Sequence, residues 1–82
     1  MYYIITRENC RYCDKAKALL KERGDSYEAY LYTDHPMIKK LMIRAGLDTV
    51  PQIWYNGSYV GGYSDLVEYV KHQDVQDVEE TQ

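Results

Sequence analysis

Residues 51 to 61 read Pro-Gln-Ile-Trp-Tyr-Asn-Gly-Ser-Tyr-Val-Gly, and this stretch carries the clearest structural signal in the chain. Two runs rich in β-branched and aromatic residues flank the dipeptide Asn56-Gly57, which is the preferred sequence of a type I′ turn. The stretch therefore predicts an antiparallel β-hairpin.

The segment before the hairpin predicts a β-α-β unit. Residues 2 to 6 form a continuous apolar run, which is typical of a strand covered on both faces. A helical stripe follows and ends before Gly24, and residues 27 to 32 suit a second strand. The stripe consists of Tyr12, Ala16, Leu19 and Leu20. A strand, a helix and a strand in succession imply a parallel pair, with the helix packed on one face of the sheet.

Two more helices are expected. The second should begin at Thr33-Asp34 and Pro36 and end at Gly46. Its buried stripe should comprise Ile38, Leu41, Met42 and Ala45. The third should be capped by Ser64 and should bury Leu66, Val67 and Val70. Residues 74 to 82 fit an acidic C-terminal tail and a helix extension equally well.

The predicted order is β-α-β-α-β-β-α, an α/β fold with a four-stranded mixed sheet and helices on both faces. Its 82 residues suit one domain spanning positions 1–82. Apolar residues make up 45% of the chain, but ten of them are tyrosines. The core should therefore be small, with tyrosine rings forming part of its wall.

Charge and hydropathy narrow the classes of function. The net charge is −3, and residues 1–46 hold nine Lys/Arg against six Asp/Glu, whereas residues 47–82 hold one against seven. This balance disfavours nucleic acid as a partner. The sequence has neither an apolar run of bilayer length nor the features of a signal peptide, so we expect a cytoplasmic protein without a membrane association.

The motif Cys10-Arg11-Tyr12-Cys13 lies where the first strand gives way to the first helix. A helix N-terminus stabilises negative charge, so Cys10 should be the more acidic thiol and the nucleophile. Cys13 lies one helical turn further on, where it can attack a mixed disulfide formed on Cys10. The two cysteines therefore predict thiol–disulfide exchange.

Three alternatives compete for the cysteines. A zinc site would need further ligands, and the obvious donors, His35 and His72, stand at spacings that match no zinc-finger or zinc-ribbon pattern. No metal is expected for this reason. A structural disulfide is a poor explanation within one helical turn and in a sequence without export signals. The third alternative is a pair of inert, buried cysteines, which their place at a helix start disfavours.

Three separated motifs make the chain resemble the glutaredoxins, small proteins of the thioredoxin-fold group. They are Cys10-Arg11-Tyr12-Cys13 after the first strand, Thr49-Val50-Pro51 before the third, and Gly61-Gly62-Tyr63-Ser64-Asp65 after the fourth. The resemblance runs from Tyr2 to about Lys71. It implies a thioredoxin-like fold and a redox activity that uses glutathione as co-substrate.

The resemblance also implies a glutathione groove. The peptide Val50-Pro51 should be cis and face the cysteines, and the Val50 backbone should pair with the cysteinyl part of glutathione. Thr49 and Pro51, from the same motif, belong to the expected groove as well. Ser64 and neighbouring N–H groups should receive the γ-glutamyl carboxylate and Asp65 the ammonium group, while Gly62 leaves space for the ligand. Ser64 and Asp65 could instead serve only as a helix cap, and the two roles are compatible.

Two more residues belong to the expected groove. Arg7 should support the Cys10 thiolate or the glycyl carboxylate, although an arginine at this position could equally be a solvated surface residue. Tyr12 should flank the tripeptide, although its place in the helical stripe also fits a half-buried core residue.

The predicted function is glutathione-dependent reduction of protein disulfides and glutathione mixed disulfides by a monomer. Partners implied by the resemblance are glutathione and disulfide-containing or glutathionylated proteins, with ribonucleotide reductase among them. One alternative is a redoxin recharged by thioredoxin reductase that serves ribonucleotide reductase. Another is a dimer that holds an iron–sulfur cluster, because Arg11 replaces the proline common in the family and some members without that proline bind clusters.

Overall fold

The computed structural model describes the backbone of residues 1–80 and the side chains of residues 1–73. It contains a four-stranded mixed sheet in the order β2-β1-β3-β4 and three α-helices. The strands are β1 (Tyr2–Thr6), β2 (Tyr27–Leu31), β3 (Gln52–Tyr55) and β4 (Ser58–Gly61). The helices are α1 (Arg11–Arg23), α2 (Pro36–Arg44) and α3 (Tyr63–Glu80). The predicted α/β architecture is confirmed.

The central strand β1 pairs in parallel with β2 and antiparallel with β3. Because β3 runs against β1, the end of β1 and the beginning of β3 lie at the same edge of the sheet, where Ile5 pairs with Gln52. The loop after β1 and the loop before β3 are therefore brought together, and these loops carry two of the three sequence motifs.

The hairpin forms where it was predicted, and it contains one irregularity. Asn56 and Gly57 both have positive φ, 49° and 87°, as a type I′ turn requires. Trp54 pairs with Tyr59, but the preceding residue of β3, Ile53, pairs with Gly61. Val60 is therefore an extra residue in β4, and the pairing contains a β-bulge that the sequence pattern did not predict.

The main core lies between the sheet and the pair α1 and α3. It joins side chains from all these elements, namely Tyr2, Ile4, Ala16, Leu20, Ile53, Leu66 and Val70. Tyr12, predicted as part of the α1 stripe, is instead 54% exposed, and Cys13 is the buried residue of that turn. Val67 is half-buried.

Tyr2 places a hydroxyl in this core. Its side chain is buried, and the hydroxyl finds no hydrogen-bond partner among the described residues. Burial is the main reason that the pKa of Tyr2 is raised to about 12, and the nearby charge of Asp25 contributes in the same direction. The hydroxyl therefore remains protonated over the ordinary pH range.

The second face of the sheet, opposite α1 and α3, is covered by other parts of the chain less completely than predicted. Tyr3 alternates with Tyr2 and Ile4 along β1, so it points to the second face, and it is 40% exposed. Its ring stacks on that of Tyr30 at 6.4 Å, and Tyr30 meets the ring of His35, which precedes α2. The start of α2 thus lies on this face, but β1 is not covered on both faces along its whole length.

The helix α2 buries a narrower stripe than its sequence predicts. Met42 is buried and Ile38 half-buried, whereas Leu41 and Ala45 are exposed, so two of the four predicted positions were wrong. The helix begins at Pro36 as predicted, but Thr33 and Asp34 belong to a short 3-10 turn, Tyr32–Asp34, and not to the start of α2. Ile38 and Met42 are four positions apart, so the covered side of α2 is a single row of side chains.

The C-terminal ends of α2 and α3 test two further predictions. Gly46, with φ of 74°, follows α2 as expected, and Leu47 N–H and Gly46 N–H donate to the carbonyls of Met42 and Ile43, which is a Schellman arrangement. The helix α3 continues to Glu80, so the backbone favours the helix extension over a tail up to that residue. Residues 81–82 and the side chains from residue 74 onward, which fall within the predicted acidic tail, lie outside the described residues.

Candidate active site

Cys10 is the N-cap of α1. It has extended φ and ψ of −109° and 108°, and its Sγ accepts a hydrogen bond from the N–H of Cys13 at 3.2 Å. A sulfur at this position takes the place of the oxygen that usually caps a helix, and it lies in the positive field of the helix N-terminus. The position therefore suits a thiolate better than a neutral thiol.

Cys10 and Cys13 are joined in a disulfide, with their Cα atoms 5.2 Å apart. Their side chains differ in access to solvent: Cys10 is 6% exposed and Cys13 1%. A disulfide substrate must reach the attacking sulfur from outside, so Cys10 is the better placed nucleophile. Cys13, enclosed one turn further into α1, can reach only what is already attached to Cys10.

The loop before β3 faces the cysteines. The Val50–Pro51 peptide is cis, which confirms what the family resemblance implied. The carbonyl oxygen of Val50 lies 3.9 Å from the Cys10 Sγ. Any molecule attached to Cys10 must therefore pass beside this loop.

A groove of about 320 Å³ lies along the loop. It is bounded by α1 on one side and by the beginning of α3 on the other, and its walls are Tyr12, Thr49, Val50, Pro51, Gly62, Tyr63 and Ser64. Six of these were predicted to contact glutathione, and the structure brings them together. Tyr63 was not predicted, although it lies inside the third motif, and its ring stands 5.9 Å from that of Tyr12.

The exposure of Tyr12 distinguishes its two interpretations. Its ring is 54% exposed and lines the groove, so it is a wall of the site and not a core residue. The Nζ of Lys15 lies 5.2 Å from the ring centroid, a distance suited to a cation–π contact. This contact holds a positive charge near one end of the groove.

Asp65, and not Ser64, caps α3. The helix begins at Tyr63, so Ser64 already lies in the first turn, and its predicted capping role was wrong. The Oδ2 of Asp65 accepts a hydrogen bond from the N–H of Gly62 at 3.1 Å, as the third residue of a helix does in a capping box. Asp65 does not line the groove itself, but its charge lies directly behind Gly62.

The backbone conformation of Gly61 and its lack of a side chain both suit this cap. Its φ is 125°, which is accessible almost only to glycine, and a Cβ at this position would overlap the carboxylate of Asp65 and approach its Cβ to 2.7 Å. The corner between β4 and α3 is therefore compact, and it presents the N–H groups of the first turn of α3 to the groove.

Arg7 lies in a second cavity, of about 410 Å³, that shares Thr49 and Val50 with the groove. Lys39 of α2 also lines this cavity, and its Nζ lies 5.9 Å from the centroid of Tyr32. Arg7 thus stands on the far side of the Val50 loop from the predicted ammonium site. Lys39 was missed because its sequence neighbours give it no signal, and only the packing of α2 brings it near Arg7.

The electrostatics at the back of the site involve Tyr59 as well. Burial, with a further contribution from the charge of Asp65, raises the pKa of Tyr59 above its ordinary value.

Among the described side chains, no group of three or more His, Cys, Asp or Glu is arranged to hold a metal ion. Within the same part of the chain, no helix is both long and apolar enough to cross a bilayer.

Comparison with known proteins places this site in a family. The sequence profile of the Glutaredoxin family matches residues 2–60. Glutaredoxin 3 of Escherichia coli (strain K12) is 41% identical over 64 residues, which are 77% of this chain and 77% of that protein. The hybrid peroxiredoxin hyPrx5 of Haemophilus influenzae is 36% identical over 66 residues, which are 80% of this chain but only 27% of that protein.

A solved structure agrees with the sequence comparison. The solution structure of glutaredoxin from Brucella melitensis matches with a TM-score of 0.74 at 31% identity, covering 94% of this chain and 85% of that one. Fold and site together define a thiol–disulfide oxidoreductase of the thioredoxin-like class, with Cys10 and Cys13 as its redox pair. Within this class, the chain belongs to the glutaredoxin family.

Proposed function

We propose that the protein is a glutathione-dependent oxidoreductase that reduces glutathione mixed disulfides and protein disulfides. The observation that carries the proposal is the groove of about 320 Å³, whose walls include six of the residues expected to contact glutathione. One of them is Val50, whose carbonyl oxygen lies 3.9 Å from the Cys10 sulfur. The groove runs from Tyr12 past the cis-Pro loop to the first turn of α3.

The chemistry of the groove matches the groups of glutathione one by one. The N–H groups at the start of α3 and the Ser64 hydroxyl suit the γ-glutamyl carboxylate, and Asp65 behind Gly62 suits the ammonium group. The Thr49–Val50 backbone suits the cysteinyl part. On the other side of the loop, Arg7 and Lys39 suit the glycyl carboxylate.

Reduction of a glutathione mixed disulfide proceeds by two exchanges. The Cys10 thiolate attacks the glutathione sulfur, so that a Cys10–glutathione disulfide forms and the former partner of glutathione leaves as a thiolate. A second glutathione thiolate then attacks the glutathione sulfur of this disulfide, which gives oxidised glutathione and restores the Cys10 thiolate. The N-terminus of α1 stabilises the Cys10 thiolate at the start and the end of the cycle.

Reduction of a protein disulfide uses Cys13. The Cys10 thiolate attacks one sulfur of the substrate, and the other leaves as a thiolate. The Cys13 thiolate then attacks Cys10, releasing the second substrate thiolate and forming the Cys10–Cys13 disulfide. Two glutathione molecules return this disulfide to the dithiol and become oxidised glutathione.

The test is turnover of a glutathione mixed disulfide, coupled to glutathione reductase and followed by NADPH consumption. We expect robust turnover in the wild type and none in Cys10→Ser. Cys13→Ser should retain this activity and lose reduction of protein disulfides. Absence of turnover in the wild type would contradict the proposal, and loss of both activities in Cys13→Ser would contradict the assigned roles.

Two simple observations would distinguish two other functions from the proposed one. Reduction by thioredoxin reductase without glutathione would favour a redoxin of the kind that serves ribonucleotide reductase. A brown protein with visible absorbance after anaerobic purification would favour a cluster-bound dimer, whereas our proposal expects a colourless, cytoplasmic monomer. The Gly62–Asp65 cap supports the glutathione-dependent function because it holds a carboxylate directly behind Gly62, which lines one end of the groove.

A further inference from the structure

Gln52 is a buried polar residue at the back of the active-site loop. It is 4% exposed, and it is the first residue of β3, directly after the cis Pro51. Its Nε2 donates to the carbonyl oxygen of Thr49 at 3.0 Å and to the Thr49 Oγ1 at 3.2 Å. Its Oε1 accepts a hydrogen bond from the Tyr59 hydroxyl. Both ends of the buried amide are therefore bonded, as a buried amide requires.

The two ends of the amide are not interchangeable. The Thr49 carbonyl can only accept a hydrogen bond, so it requires the NH₂ end of Gln52. The Gln52 oxygen then faces β4, where it requires a donor, and the Tyr59 hydroxyl supplies one. Without that hydroxyl, the oxygen would be buried without a partner whenever the amide held Thr49.

The bonds of Gln52 tie the loop back to the sheet. Thr49 precedes Val50, and the carbonyl oxygen of Val50 lies 3.9 Å from the Cys10 sulfur. Thr49 and Val50 also line both the groove and the neighbouring cavity. A shift of the Thr49 carbonyl would therefore move the backbone against which the bound ligand lies.

We infer that Gln52 and Tyr59 are positioning residues that hold the Thr49–Val50 backbone in the geometry needed to bind the glutathione moiety of the substrate. This inference rests on the proposed function. Neither side chain lines the groove, so both act through Thr49. Neither makes a hydrogen bond to Cys10 or Cys13 among the described residues, so the exchange chemistry itself does not depend on them.

Tyr59→Phe is the discriminating variant. The Tyr59 ring lies 5.3 Å from that of Trp54, and the substitution keeps this packing while it removes the hydroxyl. Tyr3→Phe is the matched control, since Tyr3 lies on the same face of the sheet and its Cα pairs with Trp54 as that of Tyr59 does. Gln52→Met, which removes both sets of bonds at similar volume, is a second, more severe variant.

Steady-state kinetics with a glutathionylated peptide provide the main readout. We expect Tyr59→Phe to raise KM for the peptide roughly three- to tenfold, with kcat changed less than about twofold. Tyr3→Phe should leave both constants unchanged. A merely structural role of the hydroxyl would lower the amount of active protein, and hence kcat, without this separation of KM from kcat. An unchanged KM in Tyr59→Phe would overturn the inference.

A second readout does not depend on glutathione. Backbone amide NMR spectra of the oxidised protein should show shifted Thr49 and Val50 resonances in Tyr59→Phe but not in Tyr3→Phe. If the wild type has no glutathione-dependent activity, the proposed function fails, and the amide shifts still decide whether Tyr59 holds the loop. Unshifted Thr49 and Val50 resonances would overturn that role.

Discussion

The sulfur of Cys10 and the carbonyl oxygen of Val50 lie 3.9 Å apart, although 40 positions separate the residues in the chain. The antiparallel pairing of β1 with β3 explains this approach, because it places the loop after β1 beside the loop before β3. One side of the site is thus a helix N-terminus that stabilises a thiolate, and the other is the backbone of the loop before β3.

Asp65 is expected to act both on glutathione and on the stability of α3. Asp65→Asn keeps an oxygen that can accept the Gly62 N–H but removes the charge, so it should raise KM for a glutathione mixed disulfide with little loss of stability. Asp65→Ala should raise KM and also lower the free energy of unfolding by about 1 kcal/mol. Glu68→Gln, an exposed substitution on the same helix, is the control for both measurements. An unaltered KM in Asp65→Asn would show that the charge does not contact the substrate.

Gly61 should tolerate no side chain. In Gly61→Ala the Cβ would combine an unfavourable φ with overlap against Asp65, so we expect a loss of about 2 kcal/mol or more in a urea titration. Gly57→Ala is the matched control, since Gly57 also has positive φ but an added methyl group there would meet no atom within 4 Å. It should lose only about 1 kcal/mol. Equal losses in the two variants would mean that the corner at Asp65 can relax.

The buried hydroxyl of Tyr2 should lower the stability of the protein at neutral pH. Its ionisation should lower the stability further as the pH becomes alkaline. Because the folded pKa, about 12, lies above the ordinary value of 10.0, the stabilisation linked to this proton is complete below pH 10 and is lost as the pH rises towards 12. Tyr2→Phe should flatten this loss. It should also raise the free energy of unfolding near pH 7 by about 1 kcal/mol, because it removes a buried hydroxyl that has no hydrogen-bond partner among the described residues.

Urea titrations between about pH 7 and pH 11 would check both effects, with exposed Tyr3→Phe as the control. A variant Tyr2→Phe that is clearly less stable than the wild type at neutral pH would reveal a favourable interaction of the hydroxyl.

Arg7 and Lys39 should act together on an anionic ligand. Arg7→Gln and Lys39→Gln should each raise KM for the glutathione mixed disulfide several-fold, and the rise should shrink at high salt, where the wild-type attraction is itself screened. Lys40→Gln is the control, because Lys40 is exposed on the same helix and does not line the cavity. Equal effects of all three substitutions would indicate only a general influence of net charge.

Much of this architecture is predictable from local signals. The Asn56-Gly57 turn, the order of elements and the place of Cys10 at a helix start depend on residues that are neighbours in sequence. The cis Val50–Pro51 peptide was expected only through the family motif, because an X-Pro bond gives no local signal for its isomer.

The features that were missed depend on packing between distant elements. The exposure of Leu41 follows from where α2 rests on the sheet, and its own periodicity carries no information on this. The bond between Gln52 and Tyr59 depends on the register of β3 with β4, including the bulge. For Asp65 the sequence allowed both ligand binding and a helix cap, but its hydrogen bond from the Gly62 N–H depends on the start of α3 at Tyr63.

The bulge at Val60 has a consequence for how this chain can vary. Side chains in a regular strand alternate between faces, so two residues that are two positions apart share a face. Tyr59 reaches Gln52 on one face, yet Gly61 pairs with Ile53 of the core face, and the extra residue Val60 accounts for this difference. Loss of Val60 would restore regular alternation with both residues on their present sides. A further residue inserted between Tyr59 and Gly61 should be excluded from functional relatives of this sequence, whereas substitutions at Val60 that preserve its apolar contact with the core remain open.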